Sequence, residues 1–421
     1  MTALHNLSPM TDFRSTPGPL LPPLGSDLVV AITGNAVSLR DGRWHTHHSF
    51  GRIVDLIASR VAHIHYHAAQ VPPDRTDTCD YPFSAGNLTV HPWPQRRNSL
   101  QALKHPIRLM LDYSAMFQDA NCVFLRGSGP LIWKAHRCAA RRRVPAVHWI
   151  VGNPVAMMRS QPRGYGRIVD RLGLWFAQCE QSMLRRAMQK SRALVLANGF
   201  ELAKLYESPR TVAVVSTSIT AEDFHVRQDT CTGETVRLLF VGFVRPEKGL
   251  EYLLRAIPLI SCEKPVELAI VGSWDQFPTE HDRLVKLAAE LGLTNRVHWQ
   301  GYASFGAELF SHMDRADVLV LPSLSEGTPR VLVEARARSL PVVSTRVGGI
   351  PSSVTDGEDG LLVRPTDEKA LAEAIARIIC DGDLRRRLIE KGRQRVARLT
   401  VDRFVDLVVS LLALPSGRKG R

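Results

Sequence analysis

Between Ser323 and Ala335 the chain reads SLSEGTPRVLVEA, which sets Glu326 and Glu334 eight residues apart around a Gly327-Thr328-Pro329 turn. Carboxylates so spaced could act as general acid and base, as metal ligands, or as acceptors for ligand hydroxyls. The apolar DVLVLPS before them reads as a strand and VLVEARARS after them as a helix, with Pro329 in its first turn and Thr328 as its cap. The N–H groups of Thr328, Arg330 and Val331 would then form an anion seat aided by the helix dipole. Glu326 falls in the loop. Glu334 is expected about one and a half turns into the helix, so the pair could flank one ligand at two depths.

A second constellation lies in VGFVRPEKGLEYLL (241–254). A strand ends at Gly242, a short loop carries Arg245 and Lys248, and Gly249 opens a helix. Cations at a strand end beside helical N–H groups suit a phosphate. A carboxylate is a poor neighbour for pyrophosphate but a good acceptor for vicinal hydroxyls. A ligand carrying both kinds of group, such as a nucleotide sugar, fits the two constellations together.

The elements that must position these residues alternate along the chain. Apolar runs at 27–34, 87–93, 121–127, 144–153, 192–199 and 211–216 read as buried strands, as do 236–242, 266–272, 296–301, 317–323 and 340–349. Helical patterns separate them, among them 166–191, GLEYLLRAIPLI, EHDRLVKLAAELG and DEKALAEAIARII. Such alternation predicts an α/β fold with two doubly wound, Rossmann-like parallel sheets, their domains facing across a cleft. The expected boundaries are a flexible tail over 1–26, an N-terminal domain over 27–218, a linker over 219–234 without apolar periodicity, and a C-terminal domain over 235–395. Residues 396–421 would be a helix packing back toward the N-terminal domain, then a loose tail. Ligands of such sheets sit beyond the carboxyl ends of the strands.

Composition sets outer limits. The 421 residues carry a formal charge of +13 with 44% apolar and 23% charged residues, as in a soluble globular protein. The arginine excess suits an anionic partner, a nucleotide or an anionic membrane surface, or is simply a solvated face. No nucleic-acid recognition motif accompanies it. Seven cysteines without paired spacing argue against a disulfide framework and for a cytoplasmic setting. The longest apolar run, VDLVVSLLAL, is about half of what spans a bilayer, so any membrane contact would be peripheral, at the inner face.

From 236 to about 395 the chain resembles the C-terminal domain of family 4 retaining glycosyltransferases of GT-B architecture. The resemblance rests on LLFVGFVRPEKG and on SLSEGTPRVLVEARARSLPVVSTRVGGIPSSVTDGEDGLLVRPTDEKALAEAI. It implies hexosyl transfer from a nucleotide diphosphate sugar, a substrate rather than a cofactor, to a hydroxyl on a lipid-linked or polysaccharide precursor. Lys248 would hold the diphosphate. Glu326 would bind the transferred sugar beside the backbone of Ser325 and Gly327–Val331, and Glu334 the ribose. Backbone at Gln300, Gly301 and Tyr302 would flank the base, and Gly242 and Gly272 line the strand ends. The family usually has Arg where Phe243 stands; Arg245 could supply that charge. The implied mechanism is a metal-independent front-face displacement with retention, using Glu326, Lys248 and Arg245. Transfer to a small soluble acceptor, or a non-catalytic relative that binds nucleotide sugars, are the competing readings.

In the N-terminal half, His45, His47 and His48 fall in a loop after the first strand and are candidates for sugar binding. Gly34 and Asn35 end that strand where the family places a diphosphate loop, while Asp41-Gly42 reads equally as a plain turn. Gly152 and Asn153 close another strand. His63, His65 and His67 would share one strand face, but no acid or cysteine stands nearby in sequence to complete a metal shell. Helix 166–191 carries Trp175, Phe176, Met183 and Met188, expected mainly as a core-facing stripe.

Overall fold

The computed structural model describes residues 27–73, 79–93, 106–128, 131–160, 167–191 and 193–414. Those up to Val214 together with those from Asp402 on form one compact unit, and Val215–Val401 the other. The expected tails, at 1–26 and beyond 414, lie outside the described residues.

The first unit is built on ten strands: β1 (Val29–Thr33), β2 (Ser38–Arg40), β3 (Arg43–Thr46), β4 (His63–Ala69), β5 (Tyr81–Pro82), β6 (Leu88–Trp93), β7 (Cys122–Arg126), β8 (Ala146–Ile150), β9 (Leu194–Asn198) and β10 (Thr211–Val214). Seven form a parallel sheet in the order β10-β9-β8-β7-β1-β4-β6. Every residue of β8 and β9 is buried, as a sheet covered on both faces requires. The chain runs outward from β1 to β4 and β6, then returns to β7 on the other side of β1. The sheet therefore reverses direction between β1 and β7, and a crevice opens at their carboxyl ends.

The remaining strands, β2, β3 and β5, form a small antiparallel sheet. Asp41 (φ 49°) and Gly42 (φ 73°) turn β2 into β3 with two left-handed residues, the two-residue hairpin that matches strand twist. This sheet overturns the expected loop: His45 lies on β3, while His47 caps and His48 begins helix α1 (His48–Ala58). Three- and four-residue strands bury too little to show a period of two in the sequence.

In helix α2 (Arg167–Lys190), Leu184, Ala187 and Met188 face the core. The expected stripe fails at Met183, which is exposed, and toward the N-terminal half, where Leu172 and Trp175 are 60% and 62% exposed. The C-terminal helix Val401–Ala413 packs in this unit. Arg60 holds it through Asp402 (3.2 Å) and Asp406 (2.7 Å), and Phe404 lies 4.8 Å from the Trp149 ring.

The second unit has six parallel strands: β11 (Val236–Val241), β12 (Val266–Val271), β13 (Val297–Gly301), β14 (Val318–Leu321), β15 (Val342–Thr345) and β16 (Leu361–Val363). Their order is β13-β12-β11-β14-β15-β16, so the reversal falls between β11 and β14. Helices Leu250–Ala256, Pro278–Glu290 and Glu368–Cys380 bury Leu253, Leu254, Leu284, Leu371 and Ile375 against it. The expected helix GLEYLLRAIPLI stops at Ala256 and tightens into a 3₁₀ turn at Ile257–Leu259, where proline cannot continue the ladder.

The linker residues 219–234 pack within the second unit. Ile219 and Cys231 sit in the second unit's core. His225 donates its N–H to the Ala337 carbonyl (3.0 Å), and Arg227 donates to the carbonyls of Met313, Asp314 and Ala316. This segment is fixed by side-chain bonds to backbone, which leave no apolar period to read.

Candidate functional site

The loops after β11 and β14 meet at the reversal point of the second sheet. Gly242 ends β11, and a 3₁₀ turn over Pro246–Lys248 follows. Gly249 then enters helix Leu250–Ala256 at φ 65°. A Cβ at Gly249 would stand 2.2 Å from the Pro322 carbonyl oxygen, so the approach of this turn to the end of β14 demands glycine.

That approach brings Lys248 Nζ within 2.5 Å of Glu326 Oε1. Ser323 Oγ donates to the same oxygen at 2.8 Å. Both bonds go to Oε1, and Oε2 has no hydrogen bond among the described residues. The two side chains retain 19% and 10% of their exposure. An ammonium has three N–H donors and a carboxylate about four acceptor sites, so each group keeps capacity for a ligand while holding the other in place.

A second loop braces Glu326. Gly348 (φ 51°) follows β15, and a Cβ there would lie 1.8 Å from the Glu326 carbonyl oxygen. Gly349 donates its N–H to the Gly327 carbonyl (2.7 Å), and Thr345 Oγ1 donates to the Ser323 carbonyl (2.5 Å). Ser323, Gly348 and Gly349 are therefore site-building residues that sequence reasoning left unassigned. The paired glycines two residues after a strand were the available signal.

The helix after this loop starts later than expected. Helix Val331–Ala337 has Arg330 at its N-cap in helical conformation, and Thr328 and Pro329 precede it outside the helix. Thr328 is not its cap: the Thr328 hydroxyl lies against Gly349 instead. Glu334 accordingly sits in the first turn rather than one and a half turns inside. It is 6% exposed. Burial pushes its carboxyl up to about 7 against the opposing pull of Arg330, with Asp223 adding to the rise. A carboxylate so placed is a strong acceptor. Arg330 itself donates to Ser218 Oγ at 3.2 Å, while Ser325 and Gly327 are exposed and Pro329 and Val331 half-buried.

Arg245 does not join this group. Its guanidinium lies 4.8 Å over the Phe243 ring and 5.4 Å from the Phe277 ring, donates to Gln276 Oε1 at 3.0 Å, and stands 3.8 Å from Glu247. Phe243, 45% exposed, is the plate on which Arg245 rests. Among the described residues no bond links Arg245 to Lys248 or Glu326. Arg245 thus stands apart from the Lys248–Glu326 pair in this arrangement.

The flanking strand ends are sewn together by backbone. Gly242 N–H donates to the Val271 carbonyl (2.9 Å) and Gly272 N–H to the Gly301 carbonyl (2.6 Å). A Cβ at Gly272 would meet the Gly242 carbonyl oxygen at 2.0 Å. Beyond them Gln300 and Tyr302 are exposed at the end of β13, Tyr302 by 57%.

In the first unit the candidates divide. Gly34 and Asn35 end β1, where Gly34 has no room for a Cβ against Tyr66 and Phe50. Asn153 Oδ1 accepts from Ala156 N–H (3.2 Å) and Gln181 (3.1 Å), a helix-capping role, and Gly152 beside it is half-buried. His45 Nδ1 lies 3.1 Å from the Arg43 carbonyl, His47 Nδ1 lies 3.0 Å from Ser49 Oγ, and His48 packs edge-on to Tyr81. His63, His65 and His67 do share a face of β4, joined there by His91: His65 and His91 ring nitrogens are 3.0 Å apart and His67 stacks on His91. Among the described residues no cluster of His, Cys, Asp or Glu could hold a metal ion.

Comparison with known proteins gives this geometry its context. Residues 223–395 match the family described as Glycosyl transferases group 1. The chain is 30% identical over 259 residues to a D-inositol 3-phosphate glycosyltransferase of Corynebacterium urealyticum, covering 56% of this chain and 60% of that protein. It spans about half the length of the curated relatives it matches. WaaG, a glycosyltransferase involved in lipopolysaccharide biosynthesis, superposes with a TM-score of 0.65 at 16% identity, over 92% of this chain and 100% of WaaG. HepE from Anabaena, solved in complex with UDP, superposes with a TM-score of 0.64 at 15% identity, over 91% of this chain and 98% of HepE. These likenesses show the fold: two Rossmann-like α/β domains of GT-B type.

Proposed function

We propose that the chain is a retaining, family 4 hexosyltransferase that moves a sugar from a nucleotide diphosphate sugar to a hydroxyl on a lipid-linked or polysaccharide precursor. The single observation that carries this reading is the joined Lys248–Glu326–Ser323 cluster with the buried carboxyl of Glu334, all at the reversal point of one sheet. A cation, two hydroxyl acceptors and strand-end glycines match a ligand with a diphosphate between two polyols.

The chemistry follows from those groups. The acceptor oxygen attacks the anomeric carbon as the bond from that carbon to the phosphate oxygen breaks. Both events use one face, so configuration is retained. The departing phosphate oxygen takes the acceptor's proton, and the Lys248 ammonium stabilises the charge that grows there. Glu326 Oε2 accepts from the sugar hydroxyls and Glu334 from the ribose. No step calls for a metal. WaaG, named for lipopolysaccharide biosynthesis, and HepE, solved with UDP, support the acceptor and donor classes.

Among the described residues no helix is long and apolar enough to cross a membrane. The exposed Leu172 and Trp175, with Arg171, Arg185 and Arg186 exposed on the same helix, support peripheral contact with an anionic membrane at its cytoplasmic face.

A thermal-shift screen of UDP, GDP and ADP, with and without attached sugars, tests donor binding. A ligand at 100 times its Kd adds about 2.7 kcal/mol. If none of these compounds raises the midpoint, the reading fails.

A further inference from the structure

The first sheet has its own reversal point, and it is furnished. Arg126 ends β7 there, its backbone N–H bonded to Thr33 Oγ1 at the end of β1 (3.1 Å). Its guanidinium donates to Asn35 Oδ1 and lies 4.6 Å over the Phe50 ring and 5.4 Å from the Trp149 ring. Asn35 is fixed from the other side, since Tyr66 donates its hydroxyl to the Asn35 carbonyl (2.9 Å). Phe50 belongs to the first turn of α1, so the N-terminus of that eleven-residue helix opens on the same crevice. No acidic residue occupies its first turn, but the His48 N–H there already donates to Asp80 Oδ1 (2.8 Å), so this terminus is engaged by a carboxylate.

An independent observation points to a ligand. Trp149 is 4% exposed, yet its Nε1–H has no hydrogen-bond partner among the described residues. A buried indole donor left unmet is costly, and this one stands beside a guanidinium. The two donors suit one anionic group. We propose that this crevice is an anion subsite, with Arg126 as principal donor, that seats a phosphate or carboxylate group carried by the acceptor. A guanidinium fork grips either group by two parallel bonds, and its stacking on two rings fixes it before the ligand arrives. Only the assignment of the anion to the acceptor rests on the glycosyl-transfer reading; binding itself does not.

The test is site-specific. In the full-length protein labelled with ¹⁵N, the Trp149 indole resonance is identified by its loss in Trp149→Phe. Inorganic phosphate and acetate are then titrated separately, with and without UDP. The subsite predicts that at least one anion moves that resonance, also when UDP is present: phosphate marks a phosphorylated acceptor, acetate alone a carboxylated one. Arg126→Met should weaken the response about 10- to 100-fold, while the other indole resonances, from a chain with seven tryptophans, stay in place. Asn35→Asp, which sets a carboxylate against an intact Arg126, should abolish the response and covers the case in which Arg126→Met does not fold. A resonance that neither anion moves, or that moves equally in both variants, overturns the proposal. So does one that UDP alone moves, because the anion would then belong to the nucleotide. Turnover of nucleotide sugars is a separate readout, so failure here and failure of the transferase reading are distinguishable.

Discussion

Lys248 Nζ lies 2.5 Å from Glu326 Oε1, tying the turn after β11 to the loop after β14. The two groups come from loops 78 positions apart and meet because Gly249 admits the Pro322 carbonyl where any side chain would block it. The pair is mostly buried, so breaking one half should hurt more than removing both. Lys248→Met or Glu326→Gln alone is expected to cost about 3 kcal/mol in urea unfolding, with the double variant recovering part of that loss. Equal and additive losses would show that the pair is not coupled.

Gly348 is expected to act on Glu326 through the backbone. Gly348→Ala would drive a Cβ against the Glu326 carbonyl oxygen at a distance of 1.8 Å, at a φ of 51°. The β14–β15 loops must shift, moving Glu326 away from Lys248. The second domain should remain folded by circular dichroism, while affinity for the nucleotide sugar falls about tenfold or more. Unchanged affinity would remove Gly348 from the site.

Glu334 sets a pH dependence whose sign is fixed. Its carboxyl rises from 4.5 to about 7 in the folded chain. The unfolded chain thus ionises first, and folded stability is lost as pH climbs from about 4.5 to 7, in total about 3 kcal/mol. Glu334→Gln should therefore stabilise the ligand-free protein at pH 8 by up to that amount. Ribose hydroxyls require the ionised form, so nucleotide diphosphate affinity should fall up to about tenfold per unit below pH 7. Calorimetric titrations from pH 5.5 to 8.5 check both, and a flat profile in the parent protein would contradict the role given to Glu334.

The histidines predict the opposite trend in the first unit. Burial holds His67 down to about 3 and His148 to about 4, and keeps His136 well below the usual range. His136 and His148 share a 2.8 Å bond, and His148 Nε2 donates to the Gly127 carbonyl, so both are locked neutral. The unfolded chain binds protons near pH 6.5, so stability is complete above that value and falls as pH drops. Three such groups give about 4 kcal/mol per pH unit. Hydrogen exchange at pH 7 and pH 5 should show the first unit losing protection ahead of the second, whereas equal loss in both would exclude this origin.

Arg245 should matter less than Lys248. It is held by Phe243, Phe277 and Gln276 rather than by the ion pair. Arg245→Met is expected to lower turnover by less than about tenfold, against 100-fold or more for Lys248→Ala. A larger effect from Arg245→Met would mean that its side chain swings to the phosphate when donor binds.

Both sheets were legible because their strands are buried on two faces and read as apolar runs closed by turn residues. The strand carrying His63, His65 and His67 was harder to read, since histidine hides the apolar signal, and β16 is three residues long. Glu326, Glu334 and Lys248 were legible as a constellation, since a strand end followed by a helix dictates where they point. The Ser323 and Gly348 supports were not, because their roles depend on a contact between loops after different strands. The same holds for Arg126, whose neighbours Asn35, Phe50 and Trp149 come from three other elements. Thr328 misled because a Thr-Pro pair is a helix start by local preference, but the hydroxyl is taken up against Gly349.

The most direct test of the central claim is release of nucleoside diphosphate from a panel of UDP-, GDP- and ADP-sugars, measured for the parent protein, Lys248→Ala and Glu326→Ala. The parent protein should release nucleoside diphosphate from at least one donor, and both variants should do so about 100-fold or more slowly. No release from any donor, or release undiminished in the variants, would contradict it.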